Sequence, residues 1–392
     1  MKGLFLSADY IPRAGYTLSG RELAGDHRAL NGAAIWKNST LSLRADMSMP
    51  TVGPHDILIQ VKYCGVCGSD VHFYESDADG YILFPGHCKL PLVIGHEFSG
   101  EVVETGSAVR NVAVGDMVTA EGMDWCGECS PCRAGYFNQC QNLEELGFTV
   151  NGAFADYVVC HYKYALKLND IAEATGDEDA AYRLGALVEP TAVTYNAIVT
   201  VAGNIKPGQH VAVFGTGPIG CCAIQVLRAA GAARIFAFET SAERLDMARQ
   251  LGATDVYDPA ELAKQGLTAS QVIAELTRGQ GIGMGVEAAG ANRFTVPEIE
   301  RALAVGGKMV QIGLVAGATP CQLQTYQTKR AAIFGGIGSS GHENWANVIQ
   351  LMASRRIDVG PVATATFPLG HVLAAIEETA QRKGGKVLVK VS

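Results

Sequence analysis

The sequence predicts an α/β protein built from a small β-barrel domain and a doubly wound parallel sheet. Short strands separated by glycines run from Asp56 to about Asp116, which is the pattern of a small barrel. From about Thr191 onward, strands alternate with helices, and this pattern is typical of a parallel sheet with crossover helices. The length of 392 residues leaves room for two or three domains.

The domain boundaries are predicted from the places where these patterns change. We expect residues 1–190 and 337–392 to form the first domain, with a cysteine-rich lobe at 121–142, and residues 191–336 to form the second. The tail carries an amphipathic helical pattern and ends in the strand KVLVKV, and we predict that it rejoins the first domain.

Composition and charge exclude some classes of protein and of partner. Apolar residues make up 48% of the chain and charged residues 18%, which is ordinary for a soluble globular protein. The net charge of −8 argues against binding to nucleic acid or to an acidic membrane surface. The N-terminal segment has too short an apolar run for a signal peptide, and eleven cysteines without an export signal predict a reducing, cytoplasmic location.

Four closely spaced cysteines form the most specific motif in the chain. They are Cys126, Cys129, Cys132 and Cys140. Repeated Cys-x-x-Cys steps let neighbouring thiolates point at one centre, so we predict a closed structural zinc site. Two disulfides are an alternative that the absence of a predicted secretory signal disfavours. An iron–sulfur cluster also uses such steps, and the spacing alone does not exclude it.

A glycine-rich turn follows the buried strand VAVFG. Gly215, Gly217 and Gly220 give the pattern G-x-G-x-x-G between a strand and a helix, which is the dinucleotide-binding fingerprint of the Rossmann fold. Glu239 ends the next strand, where an acidic residue binds the ribose hydroxyls and repels the 2′-phosphate of NADP, so we predict NAD. Arg244 is a candidate for contact with the adenosine ribose, although an ordinary surface role fits it equally well. Further candidate cofactor contacts are Pro218, Ile219, Ala288, Ile312 and Gly313.

A second group of polar residues lies around two glycine-flanked turns. Cys67 and His96 each occupy such a turn beside a strand, which suits ligands that project into a cleft. A catalytic zinc needs three protein ligands and one open position, and the candidates for the third ligand are Glu97 and Glu189. Taken singly, each residue also has an ordinary structural explanation, as a core cysteine, a hydrogen-bonded core histidine or a charge at a helix end.

Several motifs in the same order make the chain resemble the zinc-dependent medium-chain dehydrogenases. These are CGSDVH, GHEFSGEV, the four-cysteine lobe and EPTAV ahead of GTGPIG, and they cover nearly the whole chain. The resemblance implies a GroES-like β-barrel catalytic domain, a Rossmann domain, two zinc ions per subunit and NAD. It places the catalytic zinc on Cys67 and His96. The third position falls on Glu189, where the classical alcohol dehydrogenases carry cysteine, whereas in the polyol dehydrogenases the position of Glu97 supplies the ligand.

The same resemblance implies the remaining catalytic roles. Ser69 and His72 match the proton relay of the family, and Asp70 matches the partner of the zinc-binding histidine, since a carboxylate fixes the tautomer of a ligating imidazole. Zinc is then expected to act as a Lewis acid on the substrate hydroxyl, and hydride is expected to pass to NAD in the cleft between the domains. A homo-dimer or homo-tetramer is implied as well.

The substrate is predicted from two further motifs, DGYILFPG and ELGFTVNGAFADYV. They resemble the branch of the family that includes scyllo-inosose dehydrogenases, which oxidise a cyclitol. We therefore predict oxidation of a secondary hydroxyl of a polyol, cyclitol, inosose or sugar acid. The alternatives are an L-threonine 3-dehydrogenase and a dehydrogenase of butanediol or simple secondary alcohols.

Two other classes of protein share some of these motifs with the alcohol dehydrogenases. A quinone reductase of the same fold would lack the zinc ligands, so Cys67 and the cysteine lobe argue against it. A zinc module without catalysis, such as a nucleic-acid-binding ribbon, would share the cysteine lobe but carry a basic face, which the net charge of −8 disfavours.

Overall fold

The computed structural model describes residues 1–315 and 317–392, and it has the α/β fold class that the sequence predicts. The chain divides into two compact units, which are described separately below. Met1–Glu189, Ala365–Arg382 and Lys386–Ser392 form the first unit, whereas Pro190–Thr364 and Lys383–Gly385 form the second.

The first unit is built on a seven-stranded sheet around the long strand Asp56–Val66. Alternate apolar side chains of this strand, among them Ile57, Ile59 and Val61, are fully buried, as expected where one face of a strand covers a core. The sheet neighbours of this strand, all antiparallel to it, are Tyr157–His161, Glu97–Thr105 and Lys386–Lys390.

The remaining elements of the first unit are mostly short. Its other strands are Gly3–Tyr10, Arg28–Ala29, Trp36–Arg44, Cys88–Lys89, Leu92–Val93, Met117–Ala120, Met123–Asp124, Glu144–Glu145, Ala165–Lys167 and Ala363–Pro368, the last of which begins two residues before the boundary at Ala365. Its α-helices are Gly32–Ile35, Gly68–Tyr74, Ser130–Arg133, Asn169–Thr175, Glu178–Gly185 and Val372–Ala380. Its 3-10 turns are Glu22–Ala24, Phe137–Gln139, Tyr162–Tyr164 and Leu369–His371.

The second unit is a six-stranded parallel sheet with helical crossovers. Across the sheet the strands are Asp255–Tyr257, Arg234–Phe238, His210–Phe214, Ile282–Glu287, Leu303–Gln311 and Ala332–Gly335. In chain order this is 3-2-1-4-5-6, the strand order of the doubly wound Rossmann fold, which confirms the prediction for this part of the chain.

Helices precede, connect and follow these strands. The α-helices are Val188–Tyr195, Pro218–Ala229, Ala242–Gln250, Pro259–Lys264, Ala269–Leu276, Asn292–Ala302, Leu323–Lys329 and Asn344–Ala353. A π-helical turn covers Asn196–Val201 and a 3-10 turn covers Gly360–Val362. Val188–Tyr195 begins two residues before the boundary of the unit.

The second boundary differs from the one we predicted. We expected everything after residue 336 to join the first domain, but the structure places residues 337–364 in the second unit. Two hydrogen bonds explain the difference, because the buried amide of Asn344 donates to Asn196 at 3.0 Å and the backbone N–H of Asp358 donates to Gln225 at 2.8 Å. The amphipathic pattern of helix Asn344–Ala353 therefore marked a buried face correctly but did not identify which core the helix covers.

No single helix in the described parts of the chain is long and apolar enough to cross a membrane. Two neighbouring helices, Glu178–Gly185 and Val188–Val201, reach that length and composition only as a bent pair.

Candidate functional site

The end of the central strand delivers Cys67 to the start of a helix. Cys67 directly follows strand Asp56–Val66 and caps helix Gly68–Tyr74. Its backbone N–H donates to a carboxylate oxygen of Asp70 at 2.8 Å, which is one half of a capping box. The helix start is thereby fixed, and the thiol of Cys67 is left half-buried beside it.

Three of the predicted metal ligands come together at this point. One ligand atom from each of Cys67, His96 and Glu97 lies within 4.8 Å of the other two. His96 and Glu97 are buried, yet Nδ1 of His96 and Oε2 of Glu97 have no hydrogen-bond partner among the described residues. Buried polar atoms in folded proteins nearly always have a partner. A group bound by these three residues would supply the partner that the two buried atoms need. A sulfur, a nitrogen and a carboxylate oxygen are the donors that zinc takes, and the residues therefore fit the ion.

Asp70 lies beside this set but is not hydrogen-bonded to His96. Its Oδ1 atom is 4.0 Å from Nδ1 of His96, which is longer than a hydrogen bond. Burial raises the pKa of Asp70 to about 6. Burial lowers the pKa of His96, but the neighbouring Cys67 and Asp70 outweigh this effect and place the pKa well above its usual value.

A buried lysine that no sequence motif indicated binds Glu97. Nζ of Lys386 donates to Oε1 of Glu97 at 2.6 Å and to the carbonyl of Val66 at 3.0 Å, and both charged side chains are at most 3% exposed. The register explains the contact, because the strands that begin at Glu97 and Lys386 flank the same central strand near its end. Gly65 stands opposite Glu97, and a Cβ there would collide with the carboxylate. One oxygen of Glu97 is thus paired with Lys386, while the other has no hydrogen-bond partner among the described residues.

The predicted proton relay lies on the helix that Cys67 starts. The hydroxyl of Ser69 is buried, and neither it nor Nδ1 of His72 has a hydrogen-bond partner among the described residues. Residues three apart share one face of a helix, so the two side chains are neighbours. Burial and the positive charge of Arg382 lower the pKa of His72, which keeps the imidazole neutral and able to accept a proton.

Two further glutamates lie near His96. Glu189 lies outside the three-residue metal set. Burial raises the pKa of Glu189 to about 7, and the charge of Glu97 acts in the same direction, whereas the charge of His96 lowers it. Glu145 was not identified from the sequence, where it is the second of two adjacent glutamates and is followed by Leu146. Burial raises its pKa to about 7, and His96 is the charged group that opposes this shift. The ring of Phe148, three residues later, packs 4.7 Å from the ring of His96.

The four-cysteine lobe also forms a compact metal-binding set. The sulfur atoms of Cys126, Cys129, Cys132 and Cys140 all lie within 4.8 Å of one another. Backbone N–H groups donate to three of these sulfurs; the donors are those of Cys126, Glu128, Gln141 and Asn142. Such bonds stabilise thiolates, and they lower the pKa of Cys126 to about 6. All eleven cysteines are free, so the geometry fits four-sulfur zinc coordination and not two disulfides.

The glycine-rich turn of the second unit has the close backbone approaches that its sequence predicts. Gly215 adopts φ +86°, and a Cβ there would meet Ala289 at 2.7 Å. A side chain at Gly220 would collide with the carbonyl of Gly215, so the third glycine is needed for helix and strand to pack. Gly217 caps helix Pro218–Ala229, whose N-terminal N–H groups form the usual site for a pyrophosphate. The main chain therefore fits a dinucleotide.

Glu239 and Arg244 stand beside this turn. Oε2 of Glu239 accepts the N–H of Thr216 at 2.9 Å, and Oε1 accepts the N–H of Thr240 at 2.7 Å, so the carboxylate is held at the end of its strand. The guanidinium of Arg244 is 3.9 Å from Glu239 and donates to the carbonyl of Gly384 at 2.9 Å. Arg244 is thus part of a local polar network and not a free surface charge.

The other predicted cofactor contacts lie near the ends of neighbouring parallel strands. The N–H of Ala288 donates to the carbonyl of Phe214, and the N–H groups of Ile312 and Gly313 donate to the carbonyl of Glu287, all at 2.9–3.0 Å. These segments follow adjacent strands, and ligands of open α/β sheets bind at that edge. Ile219 follows Pro218 in the first turn of the helix after the glycines.

Comparison with known proteins identifies the family to which the chain belongs. Residues 53–170 match the family described as the alcohol dehydrogenase GroES-like domain, and residues 218–354 match the family described as zinc-binding dehydrogenase. The chain belongs to the zinc-dependent medium-chain dehydrogenases. It is an oxidoreductase acting on CH–OH groups, with zinc and NAD(H) as its cofactors.

Relatives of this dehydrogenase match it over most or all of its length. Scyllo-inosose 3-dehydrogenase of Thermotoga maritima is 36% identical, and the match covers 100% of this chain and 99% of that protein. The probable D-xylulose reductase A of Aspergillus clavatus is 34% identical over 86% of this chain and 89% of its own. A solved structure described as an alcohol dehydrogenase from Thermotoga maritima has a TM-score of 0.93 at 35% identity and covers both chains completely. The family predicted from the motifs is thereby confirmed.

Proposed function

We propose that this dehydrogenase oxidises a secondary hydroxyl of a polyol, a cyclitol or a related sugar acid with NAD. The observation that carries the proposal is the 36% identity to scyllo-inosose 3-dehydrogenase over the whole chain. The acidic surroundings of His96, which include Glu97, Glu145 and Glu189, support it, because polyhydroxylated substrates need several polar partners.

In this proposal Cys67, His96 and Glu97 hold the catalytic zinc. We prefer Glu97 to Glu189 as the third ligand because a Glu97 oxygen lies in the 4.8 Å set whereas Glu189 lies outside it. Lys386 positions Glu97 by binding its other oxygen, which leaves one oxygen for the metal. When bound, zinc supplies Lewis-acid polarisation of the substrate oxygen, and NAD accepts the hydride.

The chain's own residues would then carry the proton away. Ser69 lies two residues after Cys67, and its buried hydroxyl can pass a proton from the substrate oxygen to the neutral ring of His72. His72 is only partly buried, so it can release the proton to solvent. Asp70 fixes the helix start through the N–H of Cys67, and we retain its predicted role beside His96 as a proposal.

Cofactor preference is predicted to depend on Glu239. Replacing Glu239 with serine should weaken NAD binding and relax discrimination against NADP, because the carboxylate that would bind the ribose hydroxyls and repel a 2′-phosphate is lost. We expect a drop of about tenfold or more in kcat/KM with NAD, as for a lost hydrogen bond to a charged group. The measurement is kcat/KM with both cofactors for the wild type and the variant. Glu243→Ser, on the following helix, is the control, and equal use of both cofactors by the wild type would refute the assignment.

We also propose a cytoplasmic homo-oligomer. The eleven free cysteines support a reducing compartment. The edge strand Ala332–Gly335 carries the exposed side chain of Ile333, and unpaired sheet edges with apolar residues are suited to pairing with a second copy. Sedimentation of the purified chain tests this directly, and a monomer at micromolar concentration would contradict it.

A substrate panel tests the proposed activity. Inositols, inososes, hexitols and aldonates should be oxidised with kcat/KM about a hundredfold above that for cyclohexanol or 2-propanol. A site built to bind hydroxyls rejects analogues that lack them, since its own polar groups would remain unpaired. The measurement is NADH absorbance at saturating NAD. Highest efficiency on L-threonine, butanediol or an unsubstituted alcohol would move the protein to another branch of the family.

A further inference from the structure

Glu145 has no assigned role in metal binding or proton transfer, yet its charge is coupled to those of two other residues of the site. Its charge acts on Glu189, and the charge of His96 acts on it. Leu146, the next residue, donates its backbone N–H to Gly122 at 2.8 Å, and a Cβ at Gly122 would lie 3.8–3.9 Å from the Cβ atoms of Leu146 and His96. Gly122 therefore has Leu146 and His96 as neighbours, and the ring of Phe148, on the same segment as Glu145, packs 4.7 Å from the ring of His96.

The direction of the Glu145 side chain follows from its strand. Glu144–Glu145 pairs antiparallel with Met123–Asp124, and successive side chains of a strand point to opposite faces. Glu144 forms an ion pair with the mostly buried guanidinium of Arg28. Glu145 therefore points to the face opposite Arg28, and His96 is the charged group that acts on its carboxylate.

The backbone around Glu145 is held in place by the turn that follows. The N–H of Glu145 donates to the hydroxyl of Thr149 at 2.7 Å, and its carbonyl accepts the N–H of Thr149 at 2.9 Å. Thr149 is buried, and the ring of Phe148 packs on His96. A side chain on such a fixed segment is preorganised for binding, because little conformational entropy is lost when a ligand arrives.

The carboxylate itself has no hydrogen-bond partner among the described residues. It is half-buried, and His96 is the charged group that acts on it, while the apolar ring of Phe148 packs on His96. Placing a carboxylate in such surroundings without a donor is costly, and a hydroxyl group supplies a suitable donor. A ligand with a hydroxyl at this point would satisfy it.

We propose that Glu145 binds a second hydroxyl group of the substrate, one that is not oxidised, and thereby selects polyhydroxylated alcohols over simple ones. This inference rests on the proposed function and names the residue that carries its specificity. The substrate hydroxyl donates to the Glu145 carboxylate while the reacting hydroxyl lies at the Cys67–His96–Glu97 set. A simple alcohol has no second hydroxyl to donate to Glu145, so Glu145 adds nothing to the affinity for a simple alcohol.

The test compares two six-membered rings that differ in hydroxyl count. We would measure kcat and KM for the most efficient cyclitol of the panel and for cyclohexanol, with wild type, Glu145→Ala and Glu145→Gln. Glu145→Ala should lower kcat/KM for the cyclitol by about tenfold to a hundredfold, mainly through KM, and leave that for cyclohexanol within about twofold. Glu145→Gln keeps an acceptor oxygen and should lie between the two. Glu144→Gln, on the opposite face of the strand, is the matched control and should change neither value.

The outcomes separate this inference from the function on which it rests. A wild type that prefers cyclohexanol to every polyol refutes the proposed function itself. A wild type that prefers the cyclitol, with a Glu145→Ala variant that keeps the same preference, refutes only the role of Glu145. An equal loss on both substrates, or a loss of zinc from the variant, would show that Glu145 supports His96 structurally, and this too would overturn the proposal.

Discussion

Replacing Cys67 with serine should lower kcat/KM by about a thousandfold or more while leaving the fold intact. Cys67 supplies the only sulfur of the three-residue set, and it stands outside the apolar core at the start of a helix. Lewis-acid stabilisation by a metal ion is worth several kcal/mol, and each 1.36 kcal/mol corresponds to a factor of ten in rate. The measurement combines initial rates, zinc content and the far-ultraviolet circular dichroism spectrum of wild type and variant.

Two other cysteine variants make this result specific. Cys160→Ala removes a buried thiol from the same unit, outside both cysteine-containing metal sets, and should keep near-normal activity. Cys126→Ser should lower the thermal stability of the protein. The lobe has only a small apolar cluster around Trp125 and Phe137, so its folding depends on the metal. A Cys67→Ser enzyme with full zinc content and most of its activity would contradict the assignment of the catalytic site.

Replacing Lys386 with methionine should cost about 3–5 kcal/mol of unfolding free energy and most of the activity. The ion pair of Lys386 with Glu97 is almost completely buried, and removing one partner leaves an uncompensated charge in the interior. Burial lowers the pKa of Lys386, but Glu97 outweighs this effect and raises it above its usual value, so the lysine is charged at neutral pH. Denaturant unfolding of the purified variant measures the loss.

The same strand provides the control for Lys386. Lys390 is half-exposed and pairs with Asp179 at 2.8 Å, and a surface pair of this kind contributes at most about 1 kcal/mol. Lys390→Met should therefore change little. The double variant Lys386→Met/Glu97→Gln removes both buried charges and should recover much of the stability but not the activity. If Lys386→Met and Lys390→Met lose the same stability, the positioning role of Lys386 is wrong.

The parts of the protein that the sequence predicted are those that depend on local spacing. The four-cysteine steps, the G-x-G-x-x-G turn and the change from barrel-like strands to alternating strands and helices each lie within a short stretch of chain. The structure brings together three of the four sequence-predicted ligands, Cys67, His96 and Glu97, from two segments on adjacent strands.

The features that were missed depend on contacts between distant segments. Lys386 meets Glu97 across 289 positions of sequence, and only the register of two strands on either side of the central strand brings them together. Glu145 looks like ordinary surface charge in the sequence, and its direction is known only once Glu144 is seen to pair with Arg28. The boundary near residue 337 was misplaced for the same reason, because amphipathicity shows that a helix has a buried face and not which core covers it.

The anomalous scattering of a crystal of the wild-type enzyme at the zinc absorption edge tests the central claim most directly. The account predicts two peaks per chain: one bonded to the sulfurs of Cys126, Cys129, Cys132 and Cys140, and one bonded to Cys67, His96 and Glu97, each at zinc–ligand distances of about 2.0–2.3 Å. In the second site, Lys386 should remain paired with the other oxygen of Glu97. A crystal of fully active enzyme with no peak at Cys67 and His96, or with Glu189 bonded in place of Glu97, would contradict it.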